Sequence, residues 1–432
     1  MNDNNFIMTI EQLFFELIQV SLGTRICLSH TPSADEWGEL YGMAKKQSLV
    51  GVCFAGVQKL QTQQQEPPEM TYLTWMGMAA KIQQRNEVVY RQCVDLQKRL
   101  SADGLRSSIL KGQGIASLYH SNSSNLSLLR QSGDIDVFVH GGMEKVLGYC
   151  TEMFGKVEWD YINAHAPFYS DTEVELHWRA QAMTNLCVNK KLQRWLEKSE
   201  TQEMMLGGTA KFADGSELIV PTAEFNAFYI LLHCYHHMFE SGLGLRQLMD
   251  YYFVLNGLDK KACGEKAVLT KTEKTADPVS SGSANLGNAD SSSEIVSALP
   301  SSAAKSSLDA CGIEETASAK NKKNITELFE QFGMMRFAKG VMWIMQEVFK
   351  LERECMICEP DEREGRFLLK EVMQNGNFGH HDERVKKVGS GKMSELWRNV
   401  QHNWHLASHY PSEFFWQPVW LAYHFCWKRC QR

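Results

Sequence analysis

The sequence predicts an α+β protein, with a small mixed sheet inside residues 105–222 flanked by N- and C-terminal helical regions. Three observations carry this. Two short runs, 134–139 and 173–178, alternate apolar and polar residues with a period of two. Long stretches before 104 and after 223 repeat their apolar residues at helical spacing. Between them a Gly-rich turn, Lys111-Gly112-Gln113-Gly114, precedes the first alternating run. A period of two puts alternate side chains on one face of a strand, and a period near 3.6 lays an apolar stripe along a helix.

In chain order, residues 7–22 place Ile7, Ile10, Leu13, Phe14 and Leu17 on one side of a helix. Residues 34–61 follow behind a Ser33 or Asp35 cap, and 69–102 form a long helix ending near Asp103-Gly104. This N-terminal region, 1–104, is helical packing. The core, 105–222, opens with a strand at 105–110 that runs into the Gly turn. A helix starts at 115, a polar loop spans Asn122–Asn125, and a strand covers 134–139. Gly141-Gly142 leads into a helix at 143–154, followed by strands at 157–162 and 165–170 and a further strand after the Asp171-Thr172 turn. Helices at 223–239 and 245–256 make a pair (223–258) lining a cleft. Residues 259–323, dominated by Ser, Ala, Lys, Asp and Asn, read as a disordered low-complexity insertion that cannot bury enough apolar surface to fold. The C-terminal region, 324–432, is helical at 325–351, has a loop at Asn375–His381, and ends in a Trp- and Phe-rich stretch.

The 432 residues allow two or three domains, and a 44% apolar, 22% charged composition is ordinary for a globular chain. A net charge of −6 argues against a general grip on nucleic-acid phosphates. No run of about 20 apolar residues suggests a membrane span. The N-terminus lacks the pattern of a signal peptide, and twelve scattered cysteines show no disulfide framework. A reducing cytoplasm is the expected setting.

The chemistry concentrates in the two alternating runs. With Ile135, Val137 and Val139 in the core, Asp134 and Asp136 project from the opposite face, their Cα atoms about 7 Å apart. Val174, Leu176 and Trp178 share one face of the later strand, so Glu173, Glu175 and His177 share the other. Pairing of the two runs would bring Glu175 beside the aspartates. Like charges that close repel, and a divalent cation removes the conflict.

A Gly turn at a helix start, an Asp-apolar-Asp strand and a third acid on a later strand resemble the DNA polymerase beta superfamily of nucleotidyltransferases. More closely, the chain is similar to a bacterial family of uncharacterised nucleotidyltransferase-like proteins. The matching stretches are Leu110-Lys111-Gly112, Arg130 with Gly133-Asp134-Ile135-Asp136, Glu175-Leu176-His177-Trp178, and Gly244-Leu245-Arg246 with Asp250. The resemblance implies transfer of a nucleoside monophosphate from a nucleoside triphosphate to an unknown acceptor (a small molecule, a sugar or a protein) by a two-metal mechanism with Mg²⁺ or Mn²⁺. It assigns Asp134, Asp136 and Glu175 to the metal and to catalysis. Lys111, Gly112, Gln113, Gly114 and Arg130 fall to the nucleotide phosphates, and His177, Arg246 and Asp250 to support behind them. Two features depart from the superfamily: Gln113 stands where a serine would touch the triphosphate, and the stretch from Gly112 to Asp134 is long. Both favour the alternative, a catalytically inactive nucleotide- or partner-binding protein on the same fold.

Other motifs have plainer readings. Arg246 and Asp250, four apart on a helix, suit an i,i+4 ion pair. His233 and His237 share that spacing, but Cys234 replaces the glutamate of a zinc-protease helix. His402, His405 and His409 read as core-edge histidines. Cys355 and Cys358 would need Cys426 and Cys430 beside them to build a zinc site.

Overall fold

The computed structural model describes residues 9–121, 124–212, 215–262, 319–377 and 404–431. Four helices lead: α1 (Ile10–Leu22), α2 (Ala34–Lys46), α3 (Val50–Leu60) and α4 (Glu69–Ala102). The first two begin with capping boxes, Thr9 with Gln12 and Ser33 with Glu36, each satisfying backbone N–H groups at the helix start. The single helix expected over 34–61 is broken. Ser48 adopts φ 55°, a left-handed conformation that ends α2 and redirects the chain into α3.

The core follows as β1 (Ser107–Ile109), the short helix α5 (Gln113–Ala116), a two-residue ladder of β2 (His120–Ser121) with β3 (Ser124–Asn125), β4 (Ile135–Val139), α6 (Gly142–Phe154), β5 (Asn163–His165) and β6 (Val174–His177). The four-stranded sheet has order β1-β4-β6-β5 and is mixed: β4 and β6 run parallel, and the two edge strands are antiparallel to their neighbours. Two strands expected at 157–162 and 165–170 become a tight hairpin. Asp160 N–H donates to Asn163 O and His165 N–H to Glu158 O, with the Asp160 side chain accepting from Tyr161 N–H at the bend. Pro167, which has no N–H to donate, follows the second arm.

One sheet face carries Ile109, Ile135, Val137, Val139, Ala164, Val174, Leu176 and Trp178 into a core with Val89, Cys93, Leu96 and Leu100 of α4 and Val146 and Cys150 of α6. This is the inward set the alternation predicts. The opposite face presents Asp136, Phe138, Glu175 and His177. Phe138 there joins a second core with the helices. After α7 (Leu186–Leu196), α8 (Ser199–Leu206) and the ribbon of β7 (Gly208–Lys211) and β8 (Glu217–Val220) come helices α9 (Ala223–Glu240) and α10 (Leu245–Ala262), whose Ile230, His233, Arg246 and Asp250 line a cleft with Asp136 of that face. The expected insertion falls mainly on residues 263–318, outside the described residues; α10 runs to Ala262, and a helix, α11, occupies 319–331. Helices α12 (Met335–Phe349), α13 (Glu362–Asn375) and α14 (Pro411–Cys430) complete the described chain. The loop expected at Asn375–His381 and the position of His402 lie wholly or partly outside it. No described helix is long and apolar enough to cross a membrane.

Candidate active site

Asp136 and Glu175 are direct partners in the parallel β4–β6 register. Two carboxylates are thereby fixed side by side on the face toward α9. His177 lies two residues beyond Glu175 on the same strand, so it projects to the same side. Its Nε2 sits 2.9 Å from Asp136 Oδ1 and 3.1 Å from Glu175 Oε2, bridging the pair. Lys111, at the Gly turn, reaches the other Asp136 oxygen at 3.1 Å. On the outer side, Asn163 Nδ2 donates to Glu175 Oε2 at 2.5 Å, and His165 Nδ1 lies 2.8 Å from Glu173 Oε1 and 3.8 Å from Glu175 Oε1.

The charges are mutually supporting. Burial pulls the His177 imidazole toward its neutral form, but hydrogen bonds to Asp136 and Glu175 outweigh it and raise its pKa to about 9. Burial pushes Glu175 up; the hydrogen bond and charge of His177, with Lys111, more than offset this and hold it below the ordinary range. Lys111 also loses solvation, and Asp136 and Asp134 nonetheless raise it.

Asp134 stands apart from this cluster. It precedes β4, is exposed, and lines a narrow cleft with Lys111, Gly112, Asp136, His233 and Arg246. The remaining predicted residues divide. Gly112, with φ 60° and ψ −115°, makes the turn and faces the cleft. The Gln113 side chain turns inward, its Nε2 donating to Asn86 Oδ1 at 2.9 Å. Gly114 N–H donates to Lys111 O, and a Cβ at Gly114 would stand 2.7 Å from Ile109 O. Both residues are therefore used inside the fold. The expected Arg246–Asp250 pair is incomplete as a description. Asp250 accepts from Arg130 Nε and Nη2, both at 2.7 Å, and from the Tyr119 hydroxyl at 2.5 Å. Arg246 Nη1 donates to Gln131 O at 3.1 Å. These contacts tie the 130–134 loop to α10.

Asn86, fully buried on α4, was not singled out by sequence reasoning. Its Nδ2 donates to Leu128 O and Arg130 O, each at 2.6 Å, while its Oδ1 receives Gln113. One amide thus fixes the Gly turn and the approach to Arg130 together. Nothing in the helical pattern of 69–102 marks it beyond a polar residue on the apolar stripe. Asn163 and His165 were also missed, and only the hairpin register reveals them.

The donor set suits a divalent cation. Asp136, Glu175 and His177 offer ligand atoms within 4.8 Å of one another, and His165, Glu173 and Glu175 form a second, more exposed group sharing Glu175. No other such group occurs among the described residues. His233 and His237 instead meet each other, Nε2 to Nε2 at 3.0 Å, and the four cysteines of the imagined zinc site do not assemble. A roomier cavity of about 310 Å³ lies elsewhere, between Phe138, Gly141, Trp178, Arg179 and Leu196.

Residues 33–275, more than half of the chain, match the model of a family described as uncharacterised nucleotidyltransferase. No curated protein and no solved structure matches the chain.

Proposed function

The chain belongs to the uncharacterised nucleotidyltransferase family, and on that premise we propose that it transfers a nucleotidyl group from a nucleoside triphosphate to an acceptor hydroxyl. The reading rests above all on Asp136 and Glu175, held in register on adjacent parallel strands, with Asp136 lining a cleft that also carries Lys111 and Arg130. In this reading Asp134, Asp136 and Glu175 hold a divalent ion, Mg²⁺ or Mn²⁺, which when bound supplies Lewis-acid charge to the transferring phosphoryl group. Lys111 and the Gly112 backbone bind and orient the phosphates from the turn, and Arg130 adds charge from the neighbouring loop. Glu175, the less buried of the paired acids, orients the acceptor hydroxyl and takes its proton as the new bond from that oxygen to the α-phosphorus forms and the bond to the α–β bridging oxygen breaks, releasing pyrophosphate. His177 positions Glu175 and Asp136 relative to each other.

The second reading, a nucleotide- or partner-binding protein without turnover, draws on the inward-turned Gln113 and the deep burial of Asp136. One experiment separates the two. Nucleotide binding with and without Mg²⁺ is measured for the wild type and for Asp134→Ala/Asp136→Ala, alongside mass-spectrometric detection of pyrophosphate across the four NTPs. Metal-dependent binding lost in the variant, with pyrophosphate released by the wild type, supports the enzyme. Equal binding by both proteins removes the metal assignment.

A further inference from the structure

Across the cleft from the acids, two guanidinium groups are buried beside a single carboxylate. Arg130 and Arg246 are 4% and 8% exposed, and Asp250 lines the cleft with both of them. Arg130 gives Nε and Nη2 to Asp250, but its Nη1 is buried and has no partner. Gln247, 3% exposed, repeats the pattern. Its Oε1 accepts the Gly244 N–H at 3.2 Å, and its Nε2 is a buried donor with no partner. Both residues line the same cleft. A buried donor left without an acceptor has given up its hydrogen bond to water and gained nothing in return. Two such donors, beside two guanidinium groups and one carboxylate in a cleft whose other charged residues are Lys111, Asp134 and Asp136, describe a site shaped for an anion rather than a finished core. Burial and the neighbouring Arg130 charge also lower the Arg246 pKa, which is the unfavourable juxtaposition an anion would relieve.

We propose that Arg130, Arg246 and Gln247 form the seat of a pyrophosphate group. Resting on the nucleotidyl-transfer reading, this makes it the site of the β- and γ-phosphates of the triphosphate and of the leaving pyrophosphate. It also accounts for Gln113: the donor that the Gly turn lacks is supplied from the start of α10. Gln247 is the specificity element, because its amide contributes a donor without adding charge and its other end is fixed by the α10 cap.

The test uses the full-length protein and inorganic pyrophosphate in EDTA, read by calorimetry. Gln247→Glu keeps an oxygen for the Gly244 N–H and replaces the free donor with a negative acceptor. Thermal melting of Gln247→Glu is expected to match or exceed that of the wild type, since the new carboxylate joins a cleft that also carries Lys111, Arg130 and Arg246. Pyrophosphate affinity is expected to fall at least 100-fold, and Gln247→Met, which removes the donor together with the acceptor of the Gly244 N–H, to lose about 10-fold. Wild-type protein that does not bind pyrophosphate at millimolar concentration overturns the proposal, and so does unchanged affinity in Gln247→Glu. The outcome is separable from the fate of the transferase reading. Pyrophosphate held through Gln247 in a protein that transfers nothing sinks only the enzyme, whereas transfer with Gln247-independent pyrophosphate binding sinks only this site.

Discussion

Asp250→Asn isolates the charge that holds the cleft loop in place. The side chains of Arg130 and Asp250 are 4% and 8% exposed, joined through two hydrogen bonds of 2.7 Å, with Tyr119 adding a third to the same carboxylate. Asparagine keeps the shape and can still accept from Tyr119, so the loss is chiefly the negative charge opposite a buried guanidinium. Removing one member of a buried pair costs about 3–5 kcal/mol, because the remaining charge stays desolvated. The lower end of that range, about 3 kcal/mol, applies here, since one oxygen acceptor for Arg130 survives. Urea unfolding followed by tryptophan fluorescence gives the value for Asp250→Asn, Arg130→Met and the double variant. The double variant is expected to lie well above the sum of the singles in stability, because it removes both charges together. A loss below about 1 kcal/mol for Asp250→Asn, or simple additivity in the cycle, would refute the claim that this pair anchors the 130–134 loop.

Three further outcomes follow from the same geometry. Asp136→Asn is expected to reduce metal-dependent nucleotide binding at least 100-fold with little change in fold, read by calorimetry with Mg²⁺ and by circular dichroism; retention of binding within threefold counts against the metal role. The His177 pKa rises from 6.5 to about 9 in the folded protein, so its stabilisation is fully present below pH 6.5 and fades as pH climbs through 9. It amounts to roughly 3 kcal/mol at most, and His177→Gln should flatten the alkaline decline in urea midpoint between pH 6.5 and 9.5. Gly51→Ala on α3 places a Cβ 2.3 Å from the backbone oxygen of Leu129, so about 1–3 kcal/mol of stability should be lost; a melting point within a degree of wild type contradicts the close approach.

Much of the sheet was legible because its signal is local. Alternation over 134–139 and 173–178 specified which side chains face the core, and β4 and β6 carry that set into contact with α4 and α6. The Asp136–Glu175 juxtaposition was legible as a pairing hypothesis, but its parallel register was not, since register depends on the crossover through α6 and β5. Asp134 was expected to act level with Asp136; β4 begins one residue later, at Ile135, and leaves Asp134 exposed at the cleft mouth. Arg246 and Asp250 illustrate the opposite limit. Spacing four apart suggests a local pair, while the fold brings Arg130 to Asp250 from 120 positions away. Asn86, Tyr119 and Gln247 have no sequence signature, because a buried amide or hydroxyl acquires meaning only from the backbone groups the tertiary fold sets around it. The Ser48 break was likewise unmarked, because no Gly or Pro punctuates residues 44–50.

Because His177 travels on the strand that carries Glu175, the repulsion between the two acids is cancelled by the same docking event that creates it. Assembly of the sheet thus needs no mineral counter-ion. The chain is therefore expected to refold to the same native state in chelator as without it, which far-UV circular dichroism after refolding in EDTA would report.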